Sequence, residues 1–360
     1  MPRAYVFFIH GVGEQAADSW SRGWQDALIA ALRQYAPYDR QTPEQIGKDV
    51  LRFVPISYDR VFEGYRKRWV DFAGALADSE VLGDGPLQDA LTWIAHDQDA
   101  SVRQAFWTHA LDAVLWAGLP QARAAVIASV IDQIVAGVKQ MLAENAGADR
   151  AHWLAHSLGT SVLHDALICL RFAQDLHGGA FDPANFKWQS VSMVANTSRL
   201  LRAWKPLSQG VPLEQFHPYR SLLRPGSAES LTRSYHNIHH RLDPITWPKQ
   251  FLPAGFTTGY SDDETQHFED PTRVHDLAHY VENPLVHLRL LRTFLGDDRL
   301  GSAAEVDAVA KAFVRRFPLT GSKPFAELRD LFDDSSDKPL TLADLAKFLS
   351  RAFKALRGAA

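Results

Sequence analysis

At 360 residues, with 46% hydrophobic and 22% charged residues, the chain has the usage of a folded globular protein, either one large domain or two ordinary ones; a disordered, collagen-like or coiled-coil molecule is excluded. Lysine and arginine number 38 against 42 aspartate and glutamate, and the net charge of −4 supplies no global basic field for nucleic acid or an anionic membrane. The one cysteine, Cys169, can form no intrachain disulfide, and its neighbours Leu167, Ile168 and Leu170 predict a small buried side chain; a reduced, cytoplasmic location is the expectation.

The apolar run 4–9 reads as a buried strand that ends in the turn His10-Gly11-Val12-Gly13, too early for a signal-peptide core. A helix follows from Asp18 or Ser19, with Trp20, Trp24, Leu28, Ala31, Leu32 and Tyr35 three or four apart, and a second strand spans 51–58. From 59 to 146 the periodicity is helical throughout, and Trp69, Trp93, Trp107 and Trp116 fall in this block. Its last helix repeats Val126, Val130, Ile134 and Val138 beside Ile127, Ile131 and Val135, a wide stripe that needs a sheet or helix to cover it. The most apolar stretch, 113–142, is interrupted by Gln121, Arg123, Asp132 and Lys139, so no membrane span is expected.

Strand 151–156, helix 158–172 and strand 189–195 have the spacing of a parallel strand-helix-strand unit, and a further strand covers 234–242. An acidic loop is expected at 261–270, a helix from about Pro284, and amphipathic helices at 302–316, 324–332 and 341–357. This predicts an α/β protein with a mostly parallel central sheet and helices on both faces. Residues 1–300 would form the main domain, 59–146 a helical cap inserted in it, and 301–360 a C-terminal helical appendage.

Trp153-Leu154-Ala155-His156-Ser157-Leu158-Gly159-Thr160 lies where a strand must turn sharply into a helix. A nucleophile on such a turn needs small residues two positions before and two after it, here Ala155 and Gly159, because larger side chains would strike the adjoining strand and helix. The helix that starts at Leu158 directs its first N–H groups at the site, where an oxyanion formed beside Ser157 would be stabilised.

In this context the segment resembles the G-x-S-x-G elbow of the α/β-hydrolase superfamily, with Ala155 in place of the first glycine, a variant similar to that of some lipases. The turn His10-Gly11-Val12-Gly13 is similar to the loop that supplies the second oxyanion-hole amide in lipases and esterases, which implies Val12 or Gly13 beside Leu158. The superfamily order of serine, acid, histidine implies Asp243, after the strand and before Pro244, as the acid; Asp262, Asp263 and Asp270 are alternatives in a loop that reads as solvated. Among His267, His275, His279 and His287, the pair His279-Tyr280 resembles the catalytic histidine region of lipase-like hydrolases, so His279 is the expected base and His275 the alternative. Ala155 to Gly159 with His156, then 235–245, then His279-Tyr280 are also distantly similar to intracellular phospholipases with a DDHD domain, although Val281 replaces their second aromatic residue.

The resemblance implies a serine hydrolase, without cofactor or metal, acting on a small-molecule ester or lipid-like substrate. Thioesterase, amidase or acyltransferase chemistry would use the same residues, and a catalytically silent interaction protein would keep the elbow for structure alone. The spacing of His275 and His279 would allow metal binding on one helix face, but no H-E-x-x-H accompanies it. Arg66-Lys67-Arg68 leaves peripheral contact with phospholipid headgroups open, and oligomeric state is unreadable.

Overall fold

The computed structural model describes residues 3–11, 19–65, 67–68, 112, 116, 120–144, 146–172, 182, 185–203, 222–246, 251, 255–267, 269–270 and 273–317. Six strands, β1 (Ala4–Ile9), β2 (Leu51–Ile56), β3 (Ala151–His156), β4 (Ser190–Val194), β5 (Tyr235–His240) and β6 (Tyr260–Thr265), form one sheet in the order β2-β1-β3-β4-β5-β6. Every neighbouring pair is parallel. β1 and β3 are buried along their whole length, which is why β1 runs apolar rather than alternating, while β3 buries His152 and His156 among apolar residues.

The chain leaves β1 toward β2 on one side, then returns across it to β3 on the other. This reversal makes the carboxyl ends of β1 and β3 the switch point of the sheet, the place where open α/β sheets hold ligands. Helices cover both faces. On one face α3 (Pro120–Ala143) and α4 (Leu158–Phe172) pack Val126, Val130, Ile134, Val162 and Leu163 against Phe7, Trp153 and Met193. On the other, α1 (Ser19–Leu32), α6 (Leu277–Glu282) and α7 (Pro284–Leu295) pack Trp20, Leu28, Tyr280 and Leu291 against Val6, Phe8, Leu154 and Ile238.

Between these lie α2 (Pro43–Asp49), opened by a capping box of Thr42 and Gln45, and the short α5 (Ser198–Ala203). Helix α8 (Ala303–Arg316), opened by a second capping box, buries Val306 against the α7 side. By length and composition α3 is apolar enough to cross a membrane, the test that core helices also pass, and here its apolar stripe lies on the sheet and on α4.

Two expectations are corrected. Residues 261–265 of the segment expected as an acidic loop belong instead to the edge strand β6, which pairs with β5 over six positions and whose carboxylates are engaged by neighbouring side chains. Cys169 is exposed, because α4 buries Leu163, Ala166, Leu167 and Leu170 and leaves position 169 on its outer side. Of the tryptophans in the helical block, Trp116 is buried and donates Nε1–H to Ser161 Oγ on α4 at 3.0 Å. Trp69, Trp93, Trp107 and the helices expected at 324–332 and 341–357 lie outside the described residues.

Candidate active site

Ser157 follows β3 directly and adopts φ +53, the left-handed region that costs a non-glycine residue roughly 1–2 kcal/mol. Its surroundings over-determine that conformation. The Ser157 amide donates to Val194 O at 3.0 Å, and its carbonyl accepts from Thr160 N at 2.9 Å, Thr160 Oγ1 at 2.6 Å and Thr197 Oγ1 at 2.9 Å. Thr160 and Thr197 thereby clamp the turn from α4 and from the end of β4, a role that no sequence pattern marked.

The small residues around the serine are required by contact. A Cβ on Gly159 would lie 2.2 Å from His10 O and 2.9 Å from Ile9 O, so only glycine lets α4 start this close to the end of β1. A Cβ on Gly11 would lie 2.7 Å from Ser157 Cβ, so the backbone turn after β1 runs against the serine. Ala155 is wholly buried between β1 and β4.

Ser157 Oγ lies 2.9 Å from His275 Nε2, and His275 Nδ1 lies 2.8 Å from Asp243 Oδ2. Asp243 accepts, so Nδ1 carries the imidazole proton and Nε2 is left to receive the serine hydroxyl's. Asp243 is fully buried after β5, yet its carboxylate is well satisfied: Oδ1 accepts from Ile245 N at 3.0 Å, and Oδ2 also accepts from the Tyr280 hydroxyl at 2.8 Å. The same hydroxyl accepts from His240 N at 2.9 Å.

Burial alone would push the His275 imidazole down. The Asp243 charge, the hydrogen bond to it and the more distant Asp276 outweigh that and hold it above its ordinary value.

The histidine expected between serine and acid, His279, is therefore replaced by His275. Asp276 caps α6 by accepting from Ala278 N at 2.9 Å, which leaves His275 on the turn before the helix, facing the sheet's carboxyl edge. His279, a helical turn further on, reaches Glu269 N and Asp270 N at 3.2 Å each through Nε2. Burial, with Arg273 nearby, lowers its pKa, in keeping with a neutral ring that accepts from backbone. The two histidines thus serve different partners rather than sharing one face as ligands, and no group of three or more possible metal ligands occurs among the described residues. The capping signal at Asp276 was in the sequence and identifies the residue before it as the one outside the helix.

Of the alternative acids, Asp262 accepts from Asn237 Nδ2 at 2.7 Å and Asp263 pairs with Arg289 at 3.0 Å, both on β6 and away from the serine–histidine pair. His156 stacks obliquely on His275 with ring centroids 4.9 Å apart and meets Trp24 edge-on at 5.7 Å, an aromatic wall beside the His275 ring. Leu158 opens α4, whose first N–H groups have no acceptor within the helix. Val12 and Gly13, expected to supply the other oxyanion-hole amide, lie outside the described residues. His10 packs between Trp20 and Tyr58, and its Nε2 lies 3.2 Å from Asp59 Oδ2. Comparison with protein-family models and with curated proteins gives no match to this chain.

Proposed function

We propose that the protein is a serine hydrolase of the α/β-hydrolase superfamily, lipase- or esterase-like, that cleaves carboxylic esters of hydrophobic or acyl substrates. The observation that carries the reading is the chain of two hydrogen bonds, 2.9 Å and 2.8 Å, that joins Ser157 to Asp243 through His275. A buried carboxylate, an imidazole held in one tautomer and a hydroxyl within reach of its free nitrogen are what nucleophilic acyl transfer requires. The left-handed serine at a strand-to-helix turn, the position at the sheet's reversal and the order serine, aspartate, histidine along the chain support the same reading. A silent interaction protein would have no need to hold acid and base in contact.

In the proposed reaction Ser157 Oγ attacks the ester carbonyl while His275 Nε2 takes its proton. The negative oxygen of the tetrahedral intermediate faces the N-terminus of α4. Collapse breaks the bond to the alcohol, which leaves with the proton from His275 and leaves the acyl group on Ser157. Water then attacks the acyl-enzyme, giving its proton to His275, and the carboxylic acid departs as the proton returns to Ser157. Asp243 keeps its proton-free form throughout and steadies the imidazolium.

Intact-protein mass spectrometry after fluorophosphonate treatment tests the reading. A single adduct on Ser157 is expected in the wild type and in His279→Ala, and none in Ser157→Ala or His275→Ala. Folded wild-type protein that takes no adduct would contradict it, and labelling retained in His275→Ala would remove His275 as the base.

A further inference from the structure

Ala195, the first residue after β4, is fully buried and adopts φ +50. It and Ser157 are the two non-glycine residues of positive φ among the described residues. The register pairs His156 with Val194, so the two stand one step past paired residues at the ends of neighbouring strands. β3 therefore leaves the sheet through a strained residue that carries the nucleophile, and β4 leaves beside it through one that has no place in the reaction described above. Alanine keeps a left-handed backbone only where its surroundings impose it.

The bonds of this second turn show what it holds. Ala195 N donates to Ile238 O at 2.9 Å, and Asn196 Nδ2 donates to the Tyr235 hydroxyl at 3.1 Å, which ties the turn to β5. Thr197, also buried, turns both its donors back on the elbow: its amide donates to Thr160 Oγ1 at 3.0 Å and its hydroxyl to Ser157 O at 2.9 Å. Thr197 stands immediately before α5, where a threonine commonly serves its own helix as a cap. Here Asn196 Oδ1 accepts from Ser198 N at 3.0 Å, and the Thr197 hydroxyl proton goes to Ser157.

Because peptide units are planar, the two that flank Ser157 set its φ and ψ, and with them the direction of its Cα–Cβ bond. One unit is held through Ser157 N on Val194 O at 3.0 Å, the other through Ser157 O on Thr197. The Thr160 donors to the same carbonyl belong to α4 and move with it, whereas Thr197 ties the unit to the end of β4. We infer that Thr197 is a positioning residue for the nucleophile: the strained turn at Ala195 brings its hydroxyl onto the Ser157 carbonyl, which locks Ser157 in the left-handed conformation from which Oγ reaches His275 Nε2. The inference rests on the hydrolase reading above. A serine free to relax toward ordinary backbone would swing Oγ off the imidazole, and a misplacement of about 1 Å can cost a factor of about 100 in the chemical step.

The test compares Thr197→Ala with Thr197→Ser, which differ only in the hydroxyl, through the kinetics of fluorophosphonate modification. In Thr197→Ala the maximal rate of modification, kinact, is expected to fall about 10- to 100-fold, with half-saturation within about twofold of wild type and the acid limb of the pH profile unmoved, since His275 and Asp243 keep their contact. Thr197→Ser is expected to stay within about threefold of wild type. A kinact in Thr197→Ala within about threefold of that in Thr197→Ser overturns the inference, as does a change confined to half-saturation or a shifted acid limb. Should Thr197→Ala fail to fold, Thr160→Ala removes the acceptor of the Thr197 amide and leaves the Thr197 hydroxyl in place. A smaller fall in kinact with the acid limb unmoved is then expected, and a wild-type kinact overturns the inference. Wild-type protein inert to the reagent overturns the hydrolase reading and the role of Thr197 with it; active wild type matched by Thr197→Ala overturns the role of Thr197 alone.

Discussion

Three donors converge on the Asp243 carboxylate, from Ile245, Tyr280 and His275, and only one of them belongs to a group that must change its charge. Because His275 is held above its ordinary value by Asp243, the neutral base that the proposed reaction requires would form only once the pH exceeds that raised value. The acid limb of kcat/KM, or of fluorophosphonate labelling, is therefore expected to have its midpoint above about 6.5. Tyr280 tempers the effect by drawing part of the carboxylate's charge to its own proton. In Tyr280→Phe the full charge faces His275, so the midpoint moves further up; a midpoint that stays or falls in that variant would show that Tyr280 serves packing alone. The adjacent position carries no such duty, since His279 binds the backbone at 269 and 270 and stands outside the serine–histidine–aspartate chain.

At the scale of elements the close approach of α4 to β1 is the tightest fit in the site. Gly159→Ala would drive a methyl group into two backbone carbonyl oxygens, which cannot rotate away as a side chain could. Its unfolding temperature is expected to drop by several degrees, about 1–3 kcal/mol of overpacking, with loss of labelling at Ser157; a stable, fully reactive variant would mean the turn has slack. This part of the molecule was legible in the sequence. β1 declares itself because burial on both faces demands an unbroken apolar strand, and the junction of β3 and α4 because Ala155, Ser157 and Gly159 are the residues a strained turn tolerates. β6 was illegible for the opposite reason: Ser261, Asp262, Asp263 and Glu264 have the composition of a solvated loop, and only pairing with β5 and partners such as Asn237 and Arg289 make them a strand. The choice between His275 and His279 turned on where a six-residue helix begins, which the resemblance to a His-Tyr pair obscured and the Asp276 cap decides.

Among the described residues, burial, complete or partial, holds several histidines in the neutral form. Burial lowers His152 to about 3 and His236, His240 and His287 to about 4. His287 shows why protonation is resisted. Its Nδ1 donates to Val281 O at 2.7 Å and its Nε2 accepts from the Tyr35 hydroxyl at 2.7 Å, joining α7 to α1 and leaving no site for a second proton. Each such group binds a proton in the unfolded chain near pH 6.5 but not in the folded one until about pH 4 or below, so the stability it contributes is full above pH 6.5 and is lost as the pH falls. Denaturant unfolding between pH 7 and pH 4 is expected to show stability falling with pH, at up to about 1.4 kcal/mol per pH unit for each histidine. A flat profile across that window would mean that these rings accept protons in place.

The sheet has two ends, and both are guarded. β2 carries Pro55, which has no N–H to offer a further strand, and β6 presents Asp262, Asp263 and Glu264 in succession. A second copy laying its own β6 alongside would bring carboxylate against carboxylate, while one approaching β2 would meet an interrupted row of donors. The polar composition that hid β6 from sequence reading thus keeps the open sheet from growing into a shared one, and disfavours edge-to-edge aggregation of the folded protein.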